Sequence, residues 1–162
     1  MKRIGLLSDT HGYLDEAVFR HFEQCDEIWH GGDFGTLELA ERLAAFRPLR
    51  GVYGNIDGTD IRSVYPENNV FTCEGVKVLI RHIGGYPPKY NPETKKQLAY
   101  HQPKLFIAGH SHILKIIYDD KISCLHMNPG AAGKQGWHKV KTLIRFTVDG
   151  EDMRDAEVIE LM

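Results

Sequence analysis

Apolar and polar positions along the first third of the chain change period in a regular order. Residues 3–8 are almost continuously apolar and read as a short strand buried on both faces. Leu14, Val18, Phe22 and Cys25 then recur at helical spacing, which predicts an amphipathic helix over roughly Leu14–Gln24. Glu27–His30 reads as a second strand. Leu37, Ala40, Leu43, Ala44 and Arg47 mark a second helix, with Thr36 as its N-cap and Pro48 as its stop. Leu49–Tyr53 reads as a third strand. An alternation of strand and helix predicts right-handed crossovers and a parallel sheet.

After Gly54 the alternation gives way to shorter apolar runs. Val70–Cys73 and Val76–His82 flank Glu74-Gly75 and predict a hairpin. Residues 84–88 (Gly-Gly-Tyr-Pro-Pro) read as a loop. Asn91-Pro92 predicts a helix start, cap then proline, running to about His101. Leu105–Ala108, Ile113–Tyr118 and Ile122–Met127 read as strands, and Val140–Val148 pairs with Met153–Glu160 around Asp149-Gly150. The second half is thus expected to be mostly antiparallel. No repeat or linker interrupts the pattern, so the expectation is two packed sheets with helices outside, in a single domain over residues 1–162.

Composition narrows the chemistry. Lys+Arg 20 against Asp+Glu 22 leaves a formal charge of −2, so no bulk positive field gathers nucleic acid or anionic lipid. Three widely spaced cysteines without a C-x-x-C argue against both a disulfide framework and a thiolate zinc site. A reduced, cytoplasmic location is the simpler expectation. The apolar run after Met1-Lys2-Arg3 is too short for a signal peptide, and no stretch approaches a membrane span.

Nine histidines in so short a chain are unusual. Several belong to short segments that each follow a predicted strand: Asp9-Thr10-His11, Gly31-Gly32-Asp33, Gly54-Asn55-Ile56-Asp57, His82, and Gly109-His110-Ser111-His112. Ligands bind open parallel sheets beyond the carboxyl ends of the strands. That topology would bring Asp9, His11, Asp33 and Asn55 together. In extended chain, residues two apart share a face, so Asp9 with His11 could grip one ion, and the imidazoles of His110 and His112 are spaced to share a face. Mixed imidazole and carboxylate donors suit manganese, iron or zinc. Two ions roughly 3.5–4 Å apart can clamp a phosphoryl group and activate a water. Each motif alone is weak, since D-x-H and G-D arise readily by chance or as turns. Their joint occurrence, in order, points to a metal site.

The set resembles the calcineurin-like metallophosphoesterase superfamily, whose pattern runs D-x-H, G-D, G-N, H, G-H-x-H. Asn128-Pro129-Gly130 extends the likeness toward its small branch, which includes YfcE-type phosphodiesterases and the retromer scaffold subunit Vps29. The resemblance implies a four-layer α/β/β/α sandwich of two mixed sheets flanked by helices. It implies two divalent ions, manganese first and nickel, iron or zinc as alternatives. One would be held by Asp9, His11, Asp33 and His112, the other by Asp33, Asn55, His82 and His110. It further implies a metal-bridging hydroxide attacking phosphorus in a small-molecule phosphate ester, with Asp33, Asn55 and Asp57 as catalytic candidates. Many members carry a histidine after the motif asparagine; here Ile56 stands there and cannot donate a proton. That departure favours diesters and good leaving groups. The alternative is a Vps29-like protein-binding scaffold without catalysis. The near-neutral charge disfavours a nuclease. A homo-oligomer is compatible with the sequence.

Five further features bear on the site. Asp57 either orients Asn55 or caps a turn. His30 reads as a packed residue rather than a ligand, and His126 as one that lines the cleft or packs. Residues 134–138, a polar loop that includes Trp137, could touch a substrate or a second subunit, with a simple connecting loop as the default reading. Tyr86 to Tyr90 could form a cleft wall that brings Lys89 near phosphate.

Overall fold

The computed structural model describes residues 1–161; Met162 lies outside the described residues. Its elements are β1 (Lys2–Leu7), α1 (Ala17–His21), β2 (Glu27–His30), α2 (Leu37–Phe46), β3 (Leu49–Gly51), α3 (Thr59–Arg62), β4 (Asn68–Cys73) and β5 (Val76–Arg81). They continue as β6 (Gly85–Tyr86), β7 (Lys89–Tyr90), α4 (Pro92–His101), β8 (Leu105–Ile107), β9 (Lys115–Asp119), β10 (Cys124–Asn128), β11 (Lys141–Asp149) and β12 (Asp152–Leu161). One sheet has the order β12-β11-β1-β2-β3, the other β4-β5-β8-β10-β9. In the first, β1, β2 and β3 run parallel, β11 runs antiparallel to β1, and β12 runs antiparallel to β11.

Strand alternation builds the layers. Ile4 and Leu6, with Phe146 of the same sheet, face the second sheet, where they meet Val78, Ile80, Leu105 and Ile107. Leu7 and Ile28 face the other way, onto Val18, Phe22, Leu39 and Leu43 of the helical layer. Gly5 also faces that way: a Cβ there would stand 2.6 Å from the Phe22 ring, so the helix sits directly on the strand backbone. On the second sheet, Leu79 and Phe106 turn outward to Leu98 of α4. Three apolar clusters thus fill the three interfaces of an α/β/β/α stack, each element burying one face against the next.

Two expectations need correction. The second sheet is not mostly antiparallel at its centre, because β5, β8 and β10 run parallel. The helix α4 explains this: it carries the chain from β5 back to the start of β8, the crossover that a parallel pair requires. Its cap is the one read from Asn91, whose side chain accepts from the Thr94 N–H at 2.8 Å. The first helix is also shorter than its apolar spacing suggests. Asp15 accepts from the Ala17 N–H at 2.9 Å and is held by Lys141 at 3.0 Å, so Leu14 and Asp15 lead into α1 rather than belonging to it. The short α3 and the β6–β7 ribbon, in the segment read as loop, are additions no periodicity announced.

His126 is packed, not in the cleft. It lies in β10 beside Phe106, with Nδ1 bonded to the Phe106 carbonyl at 3.1 Å and Nε2 buried without a partner. Burial is the main reason its pKa is pushed down to about 4; the Phe106 carbonyl opposes this and Lys115 adds to it. The unfolded chain therefore takes up this proton first, near pH 6.5, and stability falls as pH drops from there through 4. The expected loss at pH 4.5 relative to pH 7 is about 2–3 kcal/mol from this residue. Urea denaturation of the wild type and His126→Leu at both pH values measures it. An identical acid loss in the two proteins would contradict the assignment.

Candidate metal centre

The chain leaves β1, β2, β3, β5 and β8 at one end of the two sheets, and the loops there deliver all seven candidate ligands. Asp9, His11 and His112 form one triad, and Asp33, His82 and His110 a second; within each, ligand atoms lie within 4.8 Å of one another. Asn55 joins the second, its Oδ1 standing 3.1 Å from both His82 Nε2 and His110 Nδ1.

Each carboxylate divides its oxygens. Asp9 Oδ2 accepts from Ser8 Oγ at 2.6 Å and from the His110 N–H at 3.1 Å. Its Oδ1 faces His112 Nε2 at 3.1 Å, His11 Nε2 at 3.7 Å and His82 Nε2 at 3.8 Å. Asp33 Oδ1 accepts from the Ile56 N–H at 3.0 Å, while Oδ2 faces His82 at 3.2 Å and His11 at 3.4 Å. The protein holds one oxygen of each carboxylate and aims the other at a shared centre, where Asp33 stands between His11 and His82.

The donor set fits a cation. His82 Nδ1 lies 2.7 Å from the Gly31 carbonyl and must donate there, which leaves Nε2 as a lone pair pointed at oxygens. His11 Nε2 is buried and has no hydrogen-bond partner. Lone pairs converging without donors are resolved by a metal ion or, in its place, by protons. The proton preferences agree. The Asp9 carboxylate lifts His11, and on His82 the pull of Asp33 and Asp9 outweighs burial to lift it as well. Burial would raise Asp9, yet His11, His112, His82 and Ser8 hold it far below the carboxylate range. His110 moves down, chiefly by burial.

The backbone pays for this convergence. Asp9, His11, Asp33, His110 and His112 all have φ between 47° and 69°. For residues other than glycine this costs on the order of 1–2 kcal/mol each, and such outliers gather at functional sites. Hence Asp9 and His11 do not meet through strand alternation, as the sequence spacing implied. They sit in a left-handed turn beyond β1. The His110 and His112 pair does not share an ion-binding face either: the turn sends one to each triad. Glycines make room: a Cβ on Gly54 would fall 2.0 Å from Asp33 Oδ1, and one on Gly109 would fall 2.7 Å from Asp9 Oδ2.

Asp57 does not face the centre. Its oxygens accept from the N–H groups of Phe34 at 3.1 Å, Gly35 at 2.9 Å and Gly54 at 2.8 Å. It ties the loop carrying Asp33 to the loop carrying Asn55, a positioning task that leaves no oxygen for substrate. His30 is also internal: Nδ1 accepts from the Gly32 N–H at 3.0 Å, Nε2 bonds Thr10 Oγ at 3.0 Å, and the ring stacks on Phe34. Burial pushes its pKa down to about 3, so it stays neutral. Asn128 grips the Gly109 carbonyl at 3.0 Å and Ser111 Oγ at 3.2 Å, holding the turn rather than a histidine ring. Tyr86 and Lys89 line a cavity of about 260 Å³ that reaches His110.

Ser8, Thr10 and Arg62 escaped the sequence reading. Ser8 fixes Asp9, Thr10 bonds His30, and Arg62 Nε donates to the Asp57 carbonyl at 2.6 Å. None sits in a motif whose spacing marks it; only the folded contacts expose them.

Similar proteins share this arrangement of strands. A probable metallophosphoesterase of Methanothermobacter thermautotrophicus is 26% identical over 166 residues, covering 96% of this chain and 91% of that protein. The structure of Vps29 from Chaetomium thermophilum superposes with a TM-score of 0.78 at 14% identity, covering 99% and 97% of the two chains. YfcE, a phosphoesterase from E. coli, superposes with a TM-score of 0.60 at 17% identity, covering 96% and 98%. The family model for the calcineurin-like phosphoesterase superfamily domain matches residues 1–151. With nearly its whole length inside that match, the chain belongs to the calcineurin-like phosphoesterase superfamily.

Proposed function

We propose that the protein hydrolyses phosphate diesters of small molecules at a centre of two divalent metal ions, manganese being the best-suited ion. The observation that carries this reading is the pair of triads joined through Asp33, with every donor aimed inward and His11 Nε2 left without a partner. Asp9, His11, Asp33 and His112 would hold one ion, and Asp33, Asn55, His82 and His110 the other. Bound there, the ions supply Lewis-acid chemistry: activation of water as nucleophile and neutralisation of charge on the phosphoryl group.

The residues themselves supply order. Asn55 offers a neutral oxygen, which keeps the centre cationic enough to attract an anion. Asp57, Ser8 and the Gly31 carbonyl hold their neighbours in place, so little reorganisation is needed on binding. Ile56 is half exposed at the mouth and gives no proton to a leaving group, which favours leaving groups stable as anions. Two cavities, one of about 260 Å³ and one of about 340 Å³, adjoin His110 on either side and suit the two arms of a diester.

The test is hydrolysis of bis-p-nitrophenyl phosphate by metal-stripped protein, then with manganese restored. Stripping should bring the rate to background and manganese should restore it. Rates at background with every divalent ion tried would refute the reading. The likeness to Vps29 keeps a protein-binding scaffold as a second reading. Elemental analysis separates the two, because less than one metal per chain under replete conditions favours the scaffold.

A further inference from the structure

Trp137 is fully exposed, whereas Trp29, the second tryptophan, is sealed between the sheets. An indole left in water forgoes the burial that normally accompanies so large an apolar surface. The loop that carries it is fastened to the candidate centre on both sides. Gly136, at φ 130°, lies so close to His112 that an added Cβ would stand 2.2 Å from its Nδ1. His138 packs edge-on against the same imidazole with ring centroids 5.1 Å apart, and its Nε2 bonds the Gly133 carbonyl at 2.7 Å. Trp137 is held between these two residues beside a cavity of about 340 Å³ bounded by His110, His112, Ile113 and Gly136. Ile113, half exposed, adds a second apolar surface. Among the described residues, no Lys, Arg, Asp or Glu lines this cavity, in contrast to the one that carries Lys89.

We infer that Trp137 is a stacking platform for a planar aromatic group, aryl ring or nucleobase, attached to the phosphate that the centre binds. This rests on the phosphoesterase reading and names its substrate class. The cavity is bounded by one histidine from each triad, His110 and His112, so a substituent on a phosphorus held between the triads can reach it. A cavity without Lys, Arg, Asp or Glu in its lining, bounded by an indole and an aliphatic side chain, accepts a flat ring there. Stacking on an aromatic side chain tolerates many rings, because each has a π-face.

The probes are phenylphosphonate, methylphosphonate and inorganic phosphate, titrated into the metal-replete protein by calorimetry and by tryptophan emission. Wild type should bind phenylphosphonate about tenfold or more tightly than methylphosphonate, the discrimination one stacked ring supplies. Phenylphosphonate should also quench the exposed indole. Trp137→Ala should bring the two ligands within about threefold, and Trp137→Phe should keep part of the preference while its emission, now from Trp29 alone, stays flat. An unchanged preference in Trp137→Ala would overturn the platform. So would an indole already shielded from acrylamide in a concentration-dependent way, since a second copy of the chain would then cover it. If none of the three ligands binds, the phosphoesterase reading itself fails. If all three bind without preference, only the platform does.

Discussion

Replacing Asp33 with Asn should lower diester hydrolysis by at least about a thousandfold, the upper end of what loss of one oxyanion donor produces. Asp33 Oδ2 is the oxygen shared between His11 and His82, so it is the atom that would join two ions. Asn offers a neutral oxygen on one side and an amide N–H on the other, and the N–H repels a cation. The fold should tolerate the change. Asn accepts the left-handed backbone that Asp33 adopts at φ 59°, and its oxygen can still accept from the Ile56 N–H. Burial works against the charge on Asp33, but His82 and the Ile56 N–H outweigh it and lower its pKa, so the carboxylate contributes some stability even without metal and Asn gives that up. Melting of the metal-free variant should therefore fall modestly below wild type, while the upward shift on adding manganese should largely vanish. Turnover within tenfold of wild type would reject Asp33 as the bridging group.

Asp57→Ala should be the most damaging change to stability near the site, costing roughly 3–5 kcal/mol. Three backbone N–H groups, of Phe34, Gly35 and Gly54, lose their acceptor at once, and a buried donor left unpaired costs about 1–3 kcal/mol. Arg62 loses nothing directly, because it bonds the Asp57 carbonyl rather than the side chain. Asp57→Asn keeps one acceptor oxygen and should cost about half as much. Metal affinity should also fall by about 10–100-fold, since the loops carrying Asp33 and Asn55 are no longer tied together. Urea denaturation and metal titration measure the two effects. A stability loss under 1 kcal/mol in Asp57→Ala would show that the three amides find other partners.

Asp57 also illustrates a limit of sequence reasoning. It stands two residues after Asn55 in a recognisable motif, and that adjacency groups it with the catalytic candidates. Adjacency says nothing about which way a carboxylate turns, and here it turns inward to backbone amides. Motif spacing put Asp9 and His11 together correctly, though a left-handed turn and not extended chain joins them, and it misled on His110 and His112, which go to different triads. A period of two assumes extended chain, but the chain there curls into left-handed turns that no residue-type preference for extended structure encodes. His126 could not be assigned to cleft or core from its neighbours, because strand register alone decides which face it takes.

Much was nonetheless written in the residues. The changing apolar period announced helices and strands in order, and the caps at Thr36 and Asn91 marked where two helices begin, because periodicity and capping are local properties of the chain. The short motifs named the residues that gather at one end of the sheets, because each follows a strand. What only the tertiary structure decided was non-local. It decided the parallel centre of the second sheet, the sharing of Asp33 between two triads, the inward turn of Asp57 and the packing of Gly136 and His138, on either side of Trp137, against His112. Each depends on groups brought together from distant positions, where packing and hydrogen bonding, not local preference, set the direction of a side chain.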